Sequence, residues 1–252
     1  MLRRIFRKTH LPVPTLPDGV RVYAVGDVHG CHAALQSLLG MIEADDRARG
    51  SADTQLIFLG DLMDRGPDSA GVIETLRTLA PDWATPRFLT GNHEELMLSA
   101  IDGKRDTLRI FVRAGGRETL LSYGMSPSEF DQLDWDELAD HAARAVPADH
   151  LTFLRGFEEM IVIGDYAFVH AGIRPTAPID AQKPSDLRWI REPFLSHRGR
   201  LSHVVVHGHT ISDAVEEQPH RIGIDTGAYA SGRLTAVGLE GTERWFLSTG
   251  GG

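Results

Sequence analysis

The sequence predicts an α/β domain whose parallel strands carry polar loops to one edge of a sheet, and three observations predict it. An apolar run, a Gly-rich polar loop and a set of helix-spaced apolar positions recur in that order three times before residue 102. That is the pattern of parallel strands joined by right-handed crossovers. Past residue 160 short strands predominate over helices, and no linker separates the halves. At 252 residues, with 42% apolar and 24% charged content, the chain has material for one large domain. The boundaries read as an irregular lead-in over residues 1–18 and a single domain over 19–249.

In chain order, Pro17-Asp18-Gly19 is a turn signal. Val20–Val25 then alternates as a strand and ends in Gly26-Asp27-Val28-His29-Gly30. His32–Glu43 places Ala34, Leu35, Leu38, Leu39 and Ile42 at helical spacing. Gln55–Leu59 is the second strand, followed by Gly60-Asp61-Leu62-Met63-Asp64-Arg65-Gly66 and a helix over Ser69–Leu79 that Pro81 stops. Arg87–Leu89 is the third, followed by the loop Thr90-Gly91-Asn92-His93-Glu94 and a helix over Glu95–Ile101.

From Asp102 to about Phe157 the chain reads as helices with turns at Gly115-Gly116, Ser126-Pro127 and Val146-Pro147. Leu133, Trp135, Leu138 and Phe153 are expected to pack an outer helical layer that carries no chemistry. Met160–Ile163 and Tyr166–Val169, joined at Gly164-Asp165, form a predicted hairpin ending in His170-Ala171-Gly172. Val204–Val206 ends in His207-Gly208-His209-Thr210. Strands over Arg221–Asp225, Arg233–Leu239 and Arg244–Leu247 are expected to complete a second sheet with antiparallel members. Gly250–Gly252 reads as a frayed tail.

A net charge of -9 repels a duplex nucleic acid backbone on average, which argues against nucleic acid as a partner. The one cysteine, Cys31, excludes an internal disulfide and fits a reducing compartment. Met1–Lys8 is basic but is followed by Leu11-Pro12-Val13-Pro14 rather than the apolar core of a signal peptide. No segment approaches the ~20 consecutive apolar residues of a membrane span. A soluble, cytoplasmic protein without a membrane partner is the expectation.

Five strand ends carry polar clusters: Asp27 with His29; Asp61 with Asp64 and Arg65; Asn92 with His93 and Glu94; His170; and His207 with His209. Taken singly, each is explained as a cap, a turn former or a satisfied core polar group. Five together at one sheet edge, where open α/β sheets bind ligands, point to a site. Carboxylates, imidazoles and one amide oxygen, without thiolates, suit divalent ions such as manganese, iron or zinc. They are too many for one ion. Asp27, His29 and Asp61 suit a first metal, and Asp61, Asn92 and a pair of histidines a second. Ions ~3.5 to 4 Å apart lower the pKa of a shared water and clamp an in-line displacement at phosphorus. Arg65 is placed to hold phosphoryl oxygens, His93 to act as the acid, and Asp64 to orient His93.

These five motifs, in this order, resemble the phosphoprotein phosphatase branch of the calcineurin-like metallophosphoesterases, in particular its bacterial and phage serine/threonine phosphatases. The match runs from about residue 20 to residue 240. The resemblance implies a four-layer α/β/β/α sandwich with two mixed sheets. It implies one metal on Asp27, His29 and Asp61 and another on Asp61, Asn92, His170 and His209, with two divalent ions, manganese expected and iron or zinc as alternatives. It also implies in-line attack by a metal-bridging hydroxide. His93 is the implied general acid and Asp64 its partner. His209 rather than His207 matches the family ligand. Ile211 stands where the wider superfamily often has a further histidine, which favours the protein-phosphatase branch. Leu187-Arg188-Trp189-Ile190-Arg191-Glu192 resembles the family's Trp-x-Arg segment and points to Arg191 as a second phosphate clamp, with Arg188 the competitor. Tyr229 is placed by analogy at the phosphate pocket or in a structural role.

The implied reaction is hydrolysis of phosphoserine and phosphothreonine, with phosphotyrosine as an extension, on a phosphorylated protein or peptide and on small phosphomonoesters in vitro. Symmetrical diadenosine tetraphosphate hydrolases resemble the chain too, but usually have Ala-Arg-Gly where it has Asp64-Arg65-Gly66, and Gly-Asn-His-Asp in place of Gly-Asn-His-Glu. A nucleic-acid-end phosphatase and a non-enzymatic metal-binding module are the remaining alternatives.

Overall fold

Alternation of apolar side chains along the strands sorts the chain into layers. The structure, a computed structural model, describes residues 13–250. Most of the predicted lead-in (residues 1–12) and the last two residues of the predicted tail lie outside the described residues. One sheet contains β1 (Val20–Val25), β2 (Asp53–Phe58), β3 (Thr85–Phe88), β9 (Thr235–Glu240) and β10 (Glu243–Ser248), in the order β10-β9-β1-β2-β3. The other contains β4 (Ile161–Ile163), β5 (Tyr166–Phe168), β6 (Val204–His207), β7 (Glu216–Gln218) and β8 (Arg221–Gly223), in the order β4-β5-β6-β8-β7.

Successive side chains on a strand face opposite ways, and both sheets use this. Val22, Ala24 and Ile57 of the first sheet meet Phe168, Val206 and Ile222 of the second in one core. Tyr23, Val25, Leu56 and Phe58 point outward against Leu35, Leu38 and Ile42 of α1 (His32–Arg49) and Val72 and Leu76 of α2 (Ser69–Arg77). On the far side, Val205 packs with Leu187, Ile190 and Phe194. Helix, sheet, sheet and helix make the four layers expected.

β1, β2 and β3 pair in parallel, as do β5, β6 and β8. The predicted hairpin of β4 and β5 is present and antiparallel, with Val162 opposite Ala167. The sheet membership of the last strands needs correcting. β9 and β10 do not join the second sheet; they add an antiparallel edge to the first, Val25 pairing with Ala236. Sequence pattern marks a strand but not its partner, and an antiparallel return beside β1 covers an edge that would otherwise be open.

Two other departures have local causes. α1 extends to Arg49 instead of ending near Glu43. Its last turns have few apolar residues and are held by charge, with Arg47 paired to Glu43 at 2.6 Å, Arg49 to Asp45 at 2.9 Å, and buried Arg21 to Asp46 at 2.8 Å. β7 was not foreseen, because Glu216-Glu217-Gln218 is an exposed edge strand without apolar alternation.

Residues 102–157 are helical as expected: α4 (Arg105–Phe111), α5 (Arg117–Ser122), α6 (Pro127–Gln132), α7 (Trp135–Ala145) and α8 (Ala148–Arg155), packed with α3 (Asn92–Ile101) around Met97, Phe111 and Leu138. Trp135 does not pack as expected and is 41% exposed. Val112–Gly116 joins α4 to α5, with a backbone kink at Gly115 (φ 118°, ψ 9°). No helix of the described residues is long and apolar enough to cross a membrane.

Candidate active site

The motif loops leave the strands and turn back sharply. Among the described residues the non-glycine positions with positive φ are His29 (44°), Asp61 (51°), Asp64 (71°), Arg65 (67°) and His209 (63°). All five were predicted to be site residues. Such a conformation costs on the order of 1–3 kcal/mol and persists only where neighbours over-determine it. Here buried Glu94 does much of that. Its Oε2 accepts from Asp61 N at 2.9 Å and Gly91 N at 2.8 Å, and its Oε1 accepts from Leu62 N at 2.8 Å. Asp61 O accepts from Val28 N at 3.1 Å and His29 N at 2.9 Å, so three loops are tied into one. Gly91 permits this approach: a Cβ there would lie 2.2 Å from Asp61 Oδ1.

Asn92, His93 and Glu94 are not a loop as predicted but the first turn of α3. The helix N-terminus therefore faces Asp61, and His93 N donates to Asp61 Oδ1 at 3.0 Å.

The histidines are set up as ligands. His29 Nδ1 donates to Met63 O at 2.8 Å, and His170 Nδ1 to Leu59 O at 2.9 Å, which turns both Nε2 atoms toward Asp61. Nitrogens of His29 and His93 converge with Asp61 in one group, and those of His170 and His209 converge with Asp61 in a second. Burial above all holds His29 down at about 3, and burial with the charges of His170 and Arg191 holds His209 at about 3 as well, so their lone pairs are free. His170 Nε2 lies 3.0 Å from Asn92 Oδ1 and 3.4 Å from Asp61 Oδ2. Both partners are acceptors, so the three atoms need a shared cation or a proton. The upward shift of His170, which Asp61 imposes against burial, is the proton's version of the same demand.

Asp27 is buried but belongs to neither converging group; its carboxylate accepts from His209 N at 3.0 and 3.2 Å. Burial, then the charges of Asp225 and Asp61, push it up. Buried carboxylates this crowded require positive charge. An oxygen and nitrogen donor set around a shared Asp61 thus fits divalent ions.

Asp64 Oδ2 and His93 Nδ1 are 2.6 Å apart and both are buried. Asp64 is fixed in turn: Thr119 Oγ1 donates to its Oδ1 at 2.6 Å, and its N donates to Ser69 and Thr119 hydroxyls at 3.0 Å. Burial opposes protonation of His93, but the Asp61 charge and the Asp64 hydrogen bond outweigh it and lift the imidazole to about 9. A cation on Asp61 would cancel the larger of these pulls and leave Asp64 as the group that holds the proton. Arg65 Nη2 lies 3.2 Å from His93 Nε2, the nitrogen on the side away from Asp64.

The helical stretch supplies more than packing. Gly115 O accepts from Arg65 N at 3.1 Å and Ala114 O from Arg65 Nε at 3.4 Å, while Thr119 holds Asp64. A Cβ on Gly115, whose φ is 118°, would lie 2.7 Å from Arg65 N. The doubled glycine was the one signal of this in the sequence, and it reads equally as an ordinary turn. Asp225, buried two residues past β8 with its charge acting on Asp27, was likewise not singled out from the sequence.

The two arginine candidates separate. Arg188 pairs with Glu159 and lies 3.4 Å from Glu95, whereas Arg191 is exposed and its charge acts on His209. His207 is turned away: its Nδ1 is 3.0 Å from Gly208 O, and Arg221 Nη1 is 3.3 Å from its Nε2. Tyr229 packs edge-on against His29 at 5.4 Å, with the Arg65 guanidinium 4.9 Å from its ring centre.

The calcineurin-like phosphoesterase family model matches residues 20–236. Serine/threonine-protein phosphatase 1 of Salmonella typhimurium is 30% identical over 224 residues, covering 87% of this chain and 92% of that protein. The symmetrical bis(5'-nucleosyl)-tetraphosphatase of Paracidovorax citrulli is 34% identical over 160 residues, covering 64% of this chain and 47% of that protein, so the chain spans about half of this relative's length. A crystal structure provisionally named a diadenosine tetraphosphatase superposes with a TM-score of 0.65 at 26% identity, over 96% of this chain and 97% of that one. A cold-active protein tyrosine phosphatase superposes with a TM-score of 0.59 at 21% identity, over 94% and 81%, which speaks for the fold alone. The chain belongs to the calcineurin-like phosphoesterases.

Proposed function

We propose that the chain is a dinuclear metal-dependent phosphomonoesterase acting on phosphoserine and phosphothreonine, with phosphotyrosine as a further substrate. The observation that carries this reading is the buried Asp64–His93 pair at 2.6 Å. A phosphomonoester of serine or threonine has a poor alkoxide leaving group, so a positioned proton donor lowers its barrier directly. Asp64 is also the residue that sets the chain apart from the tetraphosphatase pattern, where alanine is usual. The relation to a serine/threonine phosphatase spans nearly all of both chains and adds support.

Divalent ions on Asp27, His29 and Asp61 and on Asp61, Asn92, His170 and His209 would supply Lewis acidity for activating water and neutralising phosphoryl oxygens. The chain's own residues do the rest. Arg65 and Arg191 bind the phosphoryl oxygens, which draw Arg65 away from His93 Nε2. That nitrogen then faces the departing oxygen and hands it a proton, while Asp64 keeps the ring oriented through Nδ1. Manganese suits this donor set and an exchangeable site, with iron or zinc as alternatives.

The second reading, a symmetrical diadenosine tetraphosphatase, rests on relatives of that name. Both are tested by assaying the manganese-loaded chain on phosphoserine, phosphotyrosine and diadenosine tetraphosphate substrates, with and without chelator. Phosphate release from phosphoserine peptides, lost on chelation, is the expected result. Steady cleavage of diadenosine tetraphosphate with no phosphate from the peptides would overturn it in favour of the second reading.

A further inference from the structure

The parallel strands β5, β6 and β8 deliver His170, His209 and Asp225 at their C-terminal ends. A separate cavity lies where the same strands begin. It has a volume of about 450 Å³ and takes in Asp165 before β5, residues 198–203 before β6, and Pro219 and His220 before β8. The strands are three or four residues long. At ~3.3 Å per residue, the cavity is therefore roughly 10 Å or more from the catalytic edge and does not share its residues.

The charge of this cavity runs against that of the molecule. The chain carries a net charge of -9, yet the cavity is lined by Arg198, Arg200, Arg244, His203 and His220 against one carboxylate, Asp165. Arg198 donates to the carbonyls of Leu195 and His197, and no carboxylate pairs with it among the described residues. Arg244 is 3.2 Å from Glu217. His220 is 4% exposed, and its Nε2 has no hydrogen-bond partner among the described residues. A buried ring nitrogen without a partner is rare in a folded protein unless a ligand or water completes it. The field around it is positive: burial first, then the charges of His197, Arg221 and Arg198, hold His220 below its ordinary value. Leu201, Val204 and Pro219 give the same cavity an apolar wall.

We propose that this cavity is a second, non-catalytic anion site that takes a phosphate group carried on a partly apolar body, with Arg198 and Arg200 neutralising the dianion and His220 Nε2 as a hydrogen-bond partner. Guanidinium groups match phosphate oxygens in geometry and charge. The cavity is larger than inorganic phosphate needs, and its apolar wall gives a ligand body something to contact. The chain's own residues 1–12 have no carboxylate and include Arg3, Arg4, Arg7 and Lys8. They offer such a site no anionic side chain. The proposal does not depend on which phosphoester the catalytic edge cleaves.

The test is calorimetric titration of the full-length, manganese-loaded protein with phenylphosphonate, a dianion on an apolar ring that no phosphatase can hydrolyse. The wild-type protein is expected to take up the probe at a site that Arg198→Ser with Arg200→Ser weakens about tenfold or more, while turnover of p-nitrophenyl phosphate is unchanged. Both arginines are exposed, so the variant is expected to fold. His220→Leu, which keeps the bulk and drops the nitrogen, is expected to weaken the same site. A parallel titration with inorganic phosphate, read as the uptake that the double arginine variant removes so that binding at the metal edge is subtracted, separates the sources: weaker binding than phenylphosphonate identifies a phosphorylated body, and equal binding identifies free phosphate. A titration that neither variant alters overturns the proposal.

Discussion

The catalytic edge and the helical layer of residues 102–157 are built by opposite rules, and they meet at two residues. At the edge, five non-glycine residues hold positive φ, and His29, Asp61, Asp64, His93 and His170 are buried with their polar atoms turned inward. In the helical layer positive φ is confined to Gly103, Gly115 and Gly124, and packing of Phe111, Leu120 and Leu138 does the stabilising. Glu94 braces Asp61 from within the edge, and the second region braces the strained positions beside it, through Thr119 on Asp64 and Gly115 on Arg65. The lesson is that the chemistry of a site and the support of a site need not share a motif or a stretch of chain.

The sharpest way to break this contrast is at the edge itself. His93→Asn keeps a polar side chain of similar reach but removes the proton donor. The expected loss in kcat on a phosphoserine substrate is about 10²- to 10⁴-fold, with the unfolding transition little changed. Turnover within a factor of two of wild type would remove His93 from the mechanism. It would also leave the 2.6 Å contact to Asp64 as a purely structural pair.

A smaller effect tests whether the helical layer reaches into the chemistry. Thr119→Val keeps the branched shape on α5 and deletes the hydroxyl that donates to Asp64 Oδ1 at 2.6 Å and accepts from Asp64 N at 3.0 Å. A hydrogen bond to a charged group contributes roughly 1.5–3 kcal/mol. If part of that orients Asp64 against His93, kcat falls about tenfold while KM holds. A drop in stability with kcat unchanged would confine residues 102–157 to packing.

The same contrast explains what the sequence allowed to be read. At the edge, residue type is dictated by chemistry, so Asp27, His29, Asp61, Asn92, His170 and His209 stand out at strand ends without any knowledge of the fold. The positions of β1, β2 and β6 followed from apolar runs. What escaped was whatever depends on long-range contact. Thr119 is one more threonine in an amphipathic helix until Asp64, 55 positions earlier, is brought to it. Gly115 looks like a turn former until Arg65 N is seen 2.7 Å from where its Cβ would be. Glu94 was read as a marker of substrate class, but its side chain is spent on the backbone of Gly91, Asp61 and Leu62. β9 and β10 were legible as strands, while their place beside β1 was not, because pairing is a property of the whole sheet.

Trp135 supplies the smallest test, and it probes the packing side of the comparison. An aromatic residue at the start of a helix reads as core, and Leu138 one turn later is core, at 3% exposure. Trp135 itself is 41% exposed, with the Arg109 guanidinium 5.3 Å from its ring centre. A cation over an exposed ring contributes about 0.5–1 kcal/mol, and the half-covered ring has little further area to lose. Trp135→Ala is therefore expected to lower the free energy of unfolding by no more than about 1 kcal/mol in urea titration, with turnover unaffected. A loss of ~3–5 kcal/mol, the range for truncating a buried aromatic, would mean that the ring is covered in solution. The outer face of α7 would then be part of a packed layer.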